Sequence, residues 1–169
     1  MTPAEVHTDE GDEIMPSARQ ALALDDLGPL REELEAYAED WLPAAREALG
    51  VPPFDVGRID LTLVAYGDAA FYSRHIDTYT GAAAAGEIPR QLTFVCYFFR
   101  EPKAFTGGAL RLFDLFGRES IDIEPEAGLM TAFSSWTPHE VLPVSCPSGA
   151  FEDFRFAVNI WVHGRRGGR

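Results

Sequence analysis

Cysteine is scarce in this 169-residue chain: Cys96 and Cys146 are the only two. A disulfide therefore ranks well behind the plainer reading, in which Cys96, set in a strand-like apolar run, is a small buried thiol. Long apolar runs are absent too, and the N-terminus has neither a basic start nor an apolar signal core. The expectation is a cytoplasmic chain with no membrane partner. Basic charge is in short supply, the net charge being -13. Residues 1–40 hold twelve Asp and Glu against Arg19 and Arg31, so that quarter carries most of the surplus. A nucleic-acid partner is not expected, because binding phosphates requires Lys and Arg to neutralise them. Arg165, Arg166 and Arg169 fall in a short Gly-rich end that reads as solvated.

What is present suffices for one domain. With 46% apolar residues the chain can bury a sizeable core, and it is too short for two ordinary domains. The expected organisation is an acidic, loosely attached tail over 1–16, a single domain over 17–163 and a basic Gly-rich tail over 164–169. Leu27, Leu30, Leu34, Tyr37, Trp41, Leu42 and Ala45 recur at three- and four-residue steps, which predicts a helix ended by Gly50 and the prolines after it. Beyond Phe54 the chain reads as short strands over 59–66, 70–77, 91–99, 109–113, 120–123, 129–134, 140–144 and 154–163. The fold class is mainly β with a flanking helix, in a sandwich or barrel. The stretch 81–86, Gly-Ala-Ala-Ala-Ala-Gly, reads equally as a lid or as a plain connector.

His75, Asp77 and His139 carry the clearest chemistry. In an extended strand residues i and i+2 point the same way, so His75 and Asp77 can grip one ion while Ile76 faces a core. His139, in Ser-Trp-Thr-Pro-His-Glu-Val, would arrive from a distant strand. Two imidazoles and one carboxylate on one side of a metal leave its other positions open, the arrangement of non-haem Fe(II) sites. Alternation in the last strand puts Arg155, Ala157, Asn159 and Trp161 on one face and Phe156, Val158, Ile160 and Val162 on the other. An Arg on such a face is costly to bury unless it meets an anion. Thr93, Val95, Tyr97 and Phe99 share a face by the same count, so Tyr97 can reach that anion.

Six stretches resemble the 2-oxoglutarate- and Fe(II)-dependent dioxygenases of the prolyl 4-hydroxylase type: 66–77, 90–99, 106–113, 123–125, 138–141 and 155–161. They occur in order and span roughly 59–163, which is far more specific than one triplet. The resemblance implies a double-stranded β-helix, or jelly-roll barrel, with iron ligands at His75, Asp77 and His139. It implies that Arg155 pairs with the distal carboxylate of 2-oxoglutarate, a task suited to a planar guanidinium. Tyr97 and Tyr66 match family tyrosines close to that cosubstrate. Fe(II), 2-oxoglutarate and O2 are the implied cofactor and cosubstrates, with ascorbate as an expected stimulant. The implied reaction hydroxylates an unactivated C–H bond and releases succinate and CO2. Asp77 favours this over halogenation, since halogenating relatives carry a small residue there.

Several expectations remain to be placed in the structure. The stretch 145–153 is longer than in the hypoxia-sensing relatives; with the loop 81–89 and the turn 105–108 it is expected to shape the substrate pocket. The anticipated partner is a small-molecule or peptidyl substrate such as a prolyl residue, free proline or another metabolite. The competing reading is a non-enzymatic metal-binding barrel acting as sensor or scaffold, which would have no need of a cosubstrate clamp. His7 reads as solvated, His163 as a surface residue or a partner of a ligand, and Phe113, Phe133 and Trp136 as core before pocket.

Overall fold

In a computed structural model that describes residues 1–8, 11–80 and 88–165, the strand signals resolve into two facing sheets with one helix outside them. The chain begins with β1 (Thr2–Pro3), β2 (Val6–Thr8), β3 (Gly11–Glu13), β4 (Arg19–Gln20) and β5 (Leu22–Leu24), then α1 (Leu30–Leu49). The middle follows with β6 (Val56–Tyr66), β7 (Phe71–His75), β8 (Arg90–Phe98), β9 (Thr106–Gly107), β10 (Leu110–Phe113) and β11 (Ser120–Ile123). It ends with β12 (Met130–Ser134), β13 (His139–Val141), β14 (Val144–Ser145) and β15 (Arg155–Gly164). The larger sheet runs β1-β5-β6-β15-β8-β12 and the smaller one β11-β10-β13-β7-β4. This is the expected mainly-β jelly-roll, with open sheet edges in place of a closed barrel.

Strand alternation divides the apolar residues between two cores. On the inner face of the larger sheet Val64, Tyr66, Val95, Tyr97 and Ala157 meet Leu110 and Val141 of the smaller sheet. On its outer face Leu61, Leu92, Phe94, Val158, Ile160 and Val162 pack beneath Ala38 and Leu42 of α1. The helix starts later than its periodicity predicts, because Leu22–Leu24 is taken up as β5 and Gly28-Pro29 turns the chain. Gly50 ends it in the left-handed region at φ 64°, with its N–H donating back into the last turn. Leu30, Tyr37 and Trp41, counted as apolar periodic positions, face solvent. Among the described residues no helix is long and apolar enough to cross a membrane.

The N-terminal segment departs from expectation. Residues 2–4 are tied to the sheet: β1 pairs with β5, the Ala4 N–H donates to the Ala21 carbonyl at 2.9 Å, and Ala4 is buried. β4 adds to the smaller sheet beside β7 while β5, two residues on, adds to the larger one, so this short stretch ties the sheets together. The acidic charge count hid these contacts, which rest on backbone pairing and on a few small residues. The stretch 81–86 and residues 166–169 lie outside the described residues. Both cysteines are free; Cys146 is buried, and burial pushes the Cys96 thiol up to about 11.

Candidate metal and cosubstrate site

β7 and β13 pair so that His75 and His139 stand directly opposite one another. The two rings lie 4.2 Å apart, and the ligand atoms of His75, Asp77 and His139 all fall within 4.8 Å of one another. Each imidazole donates its Nδ1–H to a carbonyl two residues earlier, His75 to Ser73 at 2.8 Å and His139 to Thr137 at 2.9 Å. A carbonyl only accepts, so these bonds fix the tautomer and leave both Nε2 lone pairs free for a metal. Those Nε2 atoms face Asp77 Oδ1 at 3.5 and 3.6 Å. Lone pairs set against a carboxylate oxygen repel unless a cation lies among them, so the donor set fits a divalent metal. Two nitrogens and one oxygen, with no further ligating group in the cluster among the described residues, suit Fe(II) with open positions.

Asp77 is held by a small polar network. β7 ends at His75 and the chain bends, so Asp77 does not continue the strand; its N–H and that of Thr78 both donate to the Ser135 carbonyl, at 3.0 and 3.1 Å. Thr93 Oγ1 donates to Asp77 Oδ2 at 2.8 Å and lies 3.0 Å from Ser135 Oγ. Oδ2 is thereby engaged and Oδ1 faces the imidazoles. The same bend turns Ile76, expected in a core, into a lining residue of the cavity. Thr93→Val keeps the shape and removes the hydroxyl. Metal affinity is expected to fall about 10- to 100-fold, the usual cost of losing an orienting partner, as read by metal titration. An unchanged affinity would show that Asp77 needs no such support.

Charge in the cluster sets its response to acid. Burial pushes His139 down to about 4, with His75 adding to the effect against the pull of Asp77 and the Thr137 carbonyl. Burial pushes the Asp77 carboxyl up, but His139, His75 and Thr93 together outweigh it and hold the group well below the usual carboxylate range. Between about pH 4 and the ordinary histidine value of 6.5, the unfolded chain binds more protons than the folded one at His139. Apoprotein stability should therefore fall as pH drops through that window, and Asp77 adds a further loss at lower pH. Urea midpoints at pH 7 and pH 5 test this; equal midpoints would contradict it.

In a second cluster, Arg155 and Tyr66 line the same cavity, whose volume is about 650 Å³, and Tyr97 packs beside Arg155 without lining it. Arg155, 1% exposed, lies between the rings of Tyr66 and Tyr97, 4.9 and 5.0 Å from their centroids. Its Nε donates to the Gly108 carbonyl at 2.8 Å, and no carboxylate pairs with it among the described residues. Burial lowers its proton affinity, with the two tyrosines acting the other way. The Tyr97 hydroxyl, beside Arg155 and Thr131, is buried without a well-formed hydrogen bond. An unpaired buried guanidinium and an unmet phenol fit the carboxylate of an acid such as 2-oxoglutarate. Gly108 makes room for this: at φ 71°, a Cβ there would meet Arg155 Cδ at 2.7 Å.

Other expected and unexpected residues fall into place around these clusters. Asn159, Trp161, Thr93 and Val95 line the cavity, as alternation predicts. Phe133 is buried 4.7 Å from the His139 ring, Phe113 lies under Arg74, and Trp136 is exposed. His163 is not at the surface: it is fully buried, its Nδ1–H donates to the Ile88 carbonyl at 2.8 Å, and its Nε2 lies 2.9 Å from Asp60. The stretch 145–153 does not line the cavity; it is pinned by the bond from the Cys146 N–H to Asp68, by Ser148 with Asp153, and by Arg100 with Asp153. Thr2, Pro3 and Glu5 line it instead. Tyr72 is a contact that alternation could not reveal. A register shift opposite β13 brings Tyr72 onto His75, stacked at 3.6 Å, with Arg19 over its other side. Burial, with Asp77 and Tyr66 adding to it and Arg19 and Arg90 opposing, pushes the Tyr72 phenol up to about 12 and keeps it protonated.

An uncharacterised PKHD-type hydroxylase of Synechocystis is 39% identical in an alignment of 129 residues that covers 72% of this chain. The match spans 41% of that protein's length. Among solved structures, a Pseudomonas putida prolyl-4-hydroxylase matches with TM-score 0.62 and 25% identity, over 89% of this chain and 75% of the other. A Trichoplax adhaerens prolyl hydroxylase, in complex with a hypoxia inducible factor peptide fragment, shares the fold with TM-score 0.66 and 16% identity, over 96% of this chain and 71% of its own. The profile of the 2OG-Fe(II) oxygenase superfamily matches residues 61–163, from the first inner strand to the end of the last, and takes in both clusters. The chain belongs to the 2OG-Fe(II) oxygenase superfamily.

Proposed function

We propose that this chain is an Fe(II)- and 2-oxoglutarate-dependent dioxygenase that hydroxylates an unactivated aliphatic C–H bond, of a prolyl residue, free proline or a small metabolite. The observation that carries this is the pairing, in one cavity, of the His75, Asp77 and His139 cluster with the buried Arg155, which no carboxylate pairs among the described residues. A structural metal site needs no such guanidinium, and for that reason the sensor or scaffold reading ranks second.

In this reading His75, Asp77 and His139 hold Fe(II), while Arg155 and Tyr97 grip the distal carboxylate of 2-oxoglutarate with Tyr66 beside them. When bound, iron with 2-oxoglutarate and O2 supplies the oxidant, and substrate C–H, 2-oxoglutarate and O2 become C–OH, succinate and CO2. The chain's own residues do the positioning. The Ser73 and Thr137 carbonyls keep both Nε2 atoms unprotonated, Thr93 aims Asp77, and Tyr72 braces the His75 ring. With iron bound, Asp77 would supply the carboxylate ligand that halogenating relatives lack, so hydroxylation is the outcome expected.

Anaerobic addition of Fe(II) and 2-oxoglutarate tests the assignment through the weak visible charge-transfer band of a chelated keto acid. The band should appear in the unmodified protein and vanish in His139→Ala and Arg155→Ala at matched concentrations. No band, or one unchanged in both variants, would sink the assignment. Succinate release across free amino acids and proline-containing peptides then sorts substrates.

A further inference from the structure

The cavity has at its other end a second guanidinium that no carboxylate pairs among the described residues. Arg90 opens β8, where it pairs with His163 of β15, whereas Arg155 begins β15 opposite Tyr66. Eight residues of β15 separate these positions, about 26 Å of strand at roughly 3.3 Å per residue. One molecule of 2-oxoglutarate gripped by Arg155 is too short to satisfy both.

The surroundings of Arg90 are those of a prepared anion site. Its guanidinium covers the Trp161 ring at 4.2 Å and lies 5.0 Å from the Tyr79 ring, while Nη1 donates to the Asp77 carbonyl at 3.2 Å. No carboxylate forms an ion pair with it among the described residues. Asp60, the acid within its electrostatic reach on β6, is paired with Arg58 at 3.1 Å and lies 2.9 Å from His163 Nε2. Among the described residues Arg90 Nε is buried without a hydrogen-bond partner, and so are Trp161 Nε1, Thr78 Oγ1 and Arg19 Nε. All four residues line the cavity. Buried donors left unmet are unfavourable, and their concentration here calls for an acceptor-rich ligand.

We propose that Arg90, with Trp161 Nε1 and Thr78 Oγ1 beside it, binds a carboxylate of the substrate, so that the site takes a small aliphatic acid, either free or as the C-terminus of a short peptide. The inference rests on the dioxygenase reading and deepens it. Because Arg90 is hydrogen-bonded to the backbone of the metal-cluster residue Asp77, a carboxylate held there brings the adjoining aliphatic carbons beside the cluster. A cavity of about 650 Å³ that must also admit the cosubstrate favours a compact acid.

The test compares acids with their amides. L-Proline, L-leucine and the peptide N-acetyl-glycyl-proline, each against its carboxamide, are titrated calorimetrically into the Mn(II)-loaded protein with 2-oxoglutarate under anaerobic conditions. At least one acid should bind saturably and at least tenfold more tightly than its amide. Arg90→Gln should erase that preference while 2-oxoglutarate affinity stays within twofold. A preference below tenfold for every pair, no saturable acid, or a preference that survives Arg90→Gln overturns the proposal. If the variant does not fold, the acid–amide contrast in the unmodified protein decides alone. Free acids and the peptide acid distinguish the two sources of the carboxylate. Failure of the dioxygenase reading shows separately, as no binding of 2-oxoglutarate in the same preparation.

Discussion

His139→Ala is expected to lower metal affinity by about 100-fold or more and to abolish 2-oxoglutarate turnover. Partners that merely orient a ligand are worth about 10- to 100-fold, and His139 would supply one of three donor atoms. The buried imidazole sits between the rings of Phe133 and His75, and its proton affinity is depressed because charging it there is costly. Its loss should therefore also flatten the decline in apoprotein stability between pH 7 and pH 5. Metal titration and urea unfolding at two pH values read these effects independently. A variant that binds metal like the parent, or that keeps the full acid sensitivity, would remove His139 from the site.

Arg155→Met should separate binding from stability. The guanidinium is buried with one neutral hydrogen bond to Gly108, so the apoprotein bears its desolvation without a carboxylate in return. A methionine of similar reach can pack against the Tyr66 and Tyr97 rings. The apoprotein should melt at the same temperature or up to about 4 °C higher, since about 1 kcal/mol moves a domain of this size by roughly 2–4 °C. Hydrogen bonds to charged groups contribute about 1.5–3 kcal/mol, so 2-oxoglutarate affinity should fall about 10- to 100-fold. The thermal stabilisation that 2-oxoglutarate gives the metal-loaded parent, about 2.7 kcal/mol at a hundredfold excess over Kd, should largely vanish. A variant that melts lower yet binds 2-oxoglutarate normally would make Arg155 a packing residue only.

The difference between what was legible in the chain and what was not follows strand geometry. Alternation put Arg155, Asn159 and Trp161 on one face of β15, and these residues line the cavity. The same rule failed at β7, where a register shift places Tyr72 beside His75 and a bend after His75 replaces the strand expected to run on to Asp77. Two-residue periodicity has no means of announcing a bulge. The acidic N-terminus was misleading in a different way, because net charge says nothing about the backbone pairing of residues 2–3 or the burial of Ala4.

By itself the sequence determined the candidate ligand types, their order along the chain and the inward face of the last strand, because each depends on residue identity and local spacing. Tertiary structure decided the rest. His75 and His139 are 64 positions apart in the chain, and only the β7–β13 pairing sets them opposite each other. Thr93 of β8 and Ser135 just after β12 hold Asp77 from two neighbouring strands, and Arg90 faces the cavity with no carboxylate partner among the described residues. Such relations depend on how distant backbone segments cross and where hydrogen-bonding groups are left unmet, which no local pattern encodes.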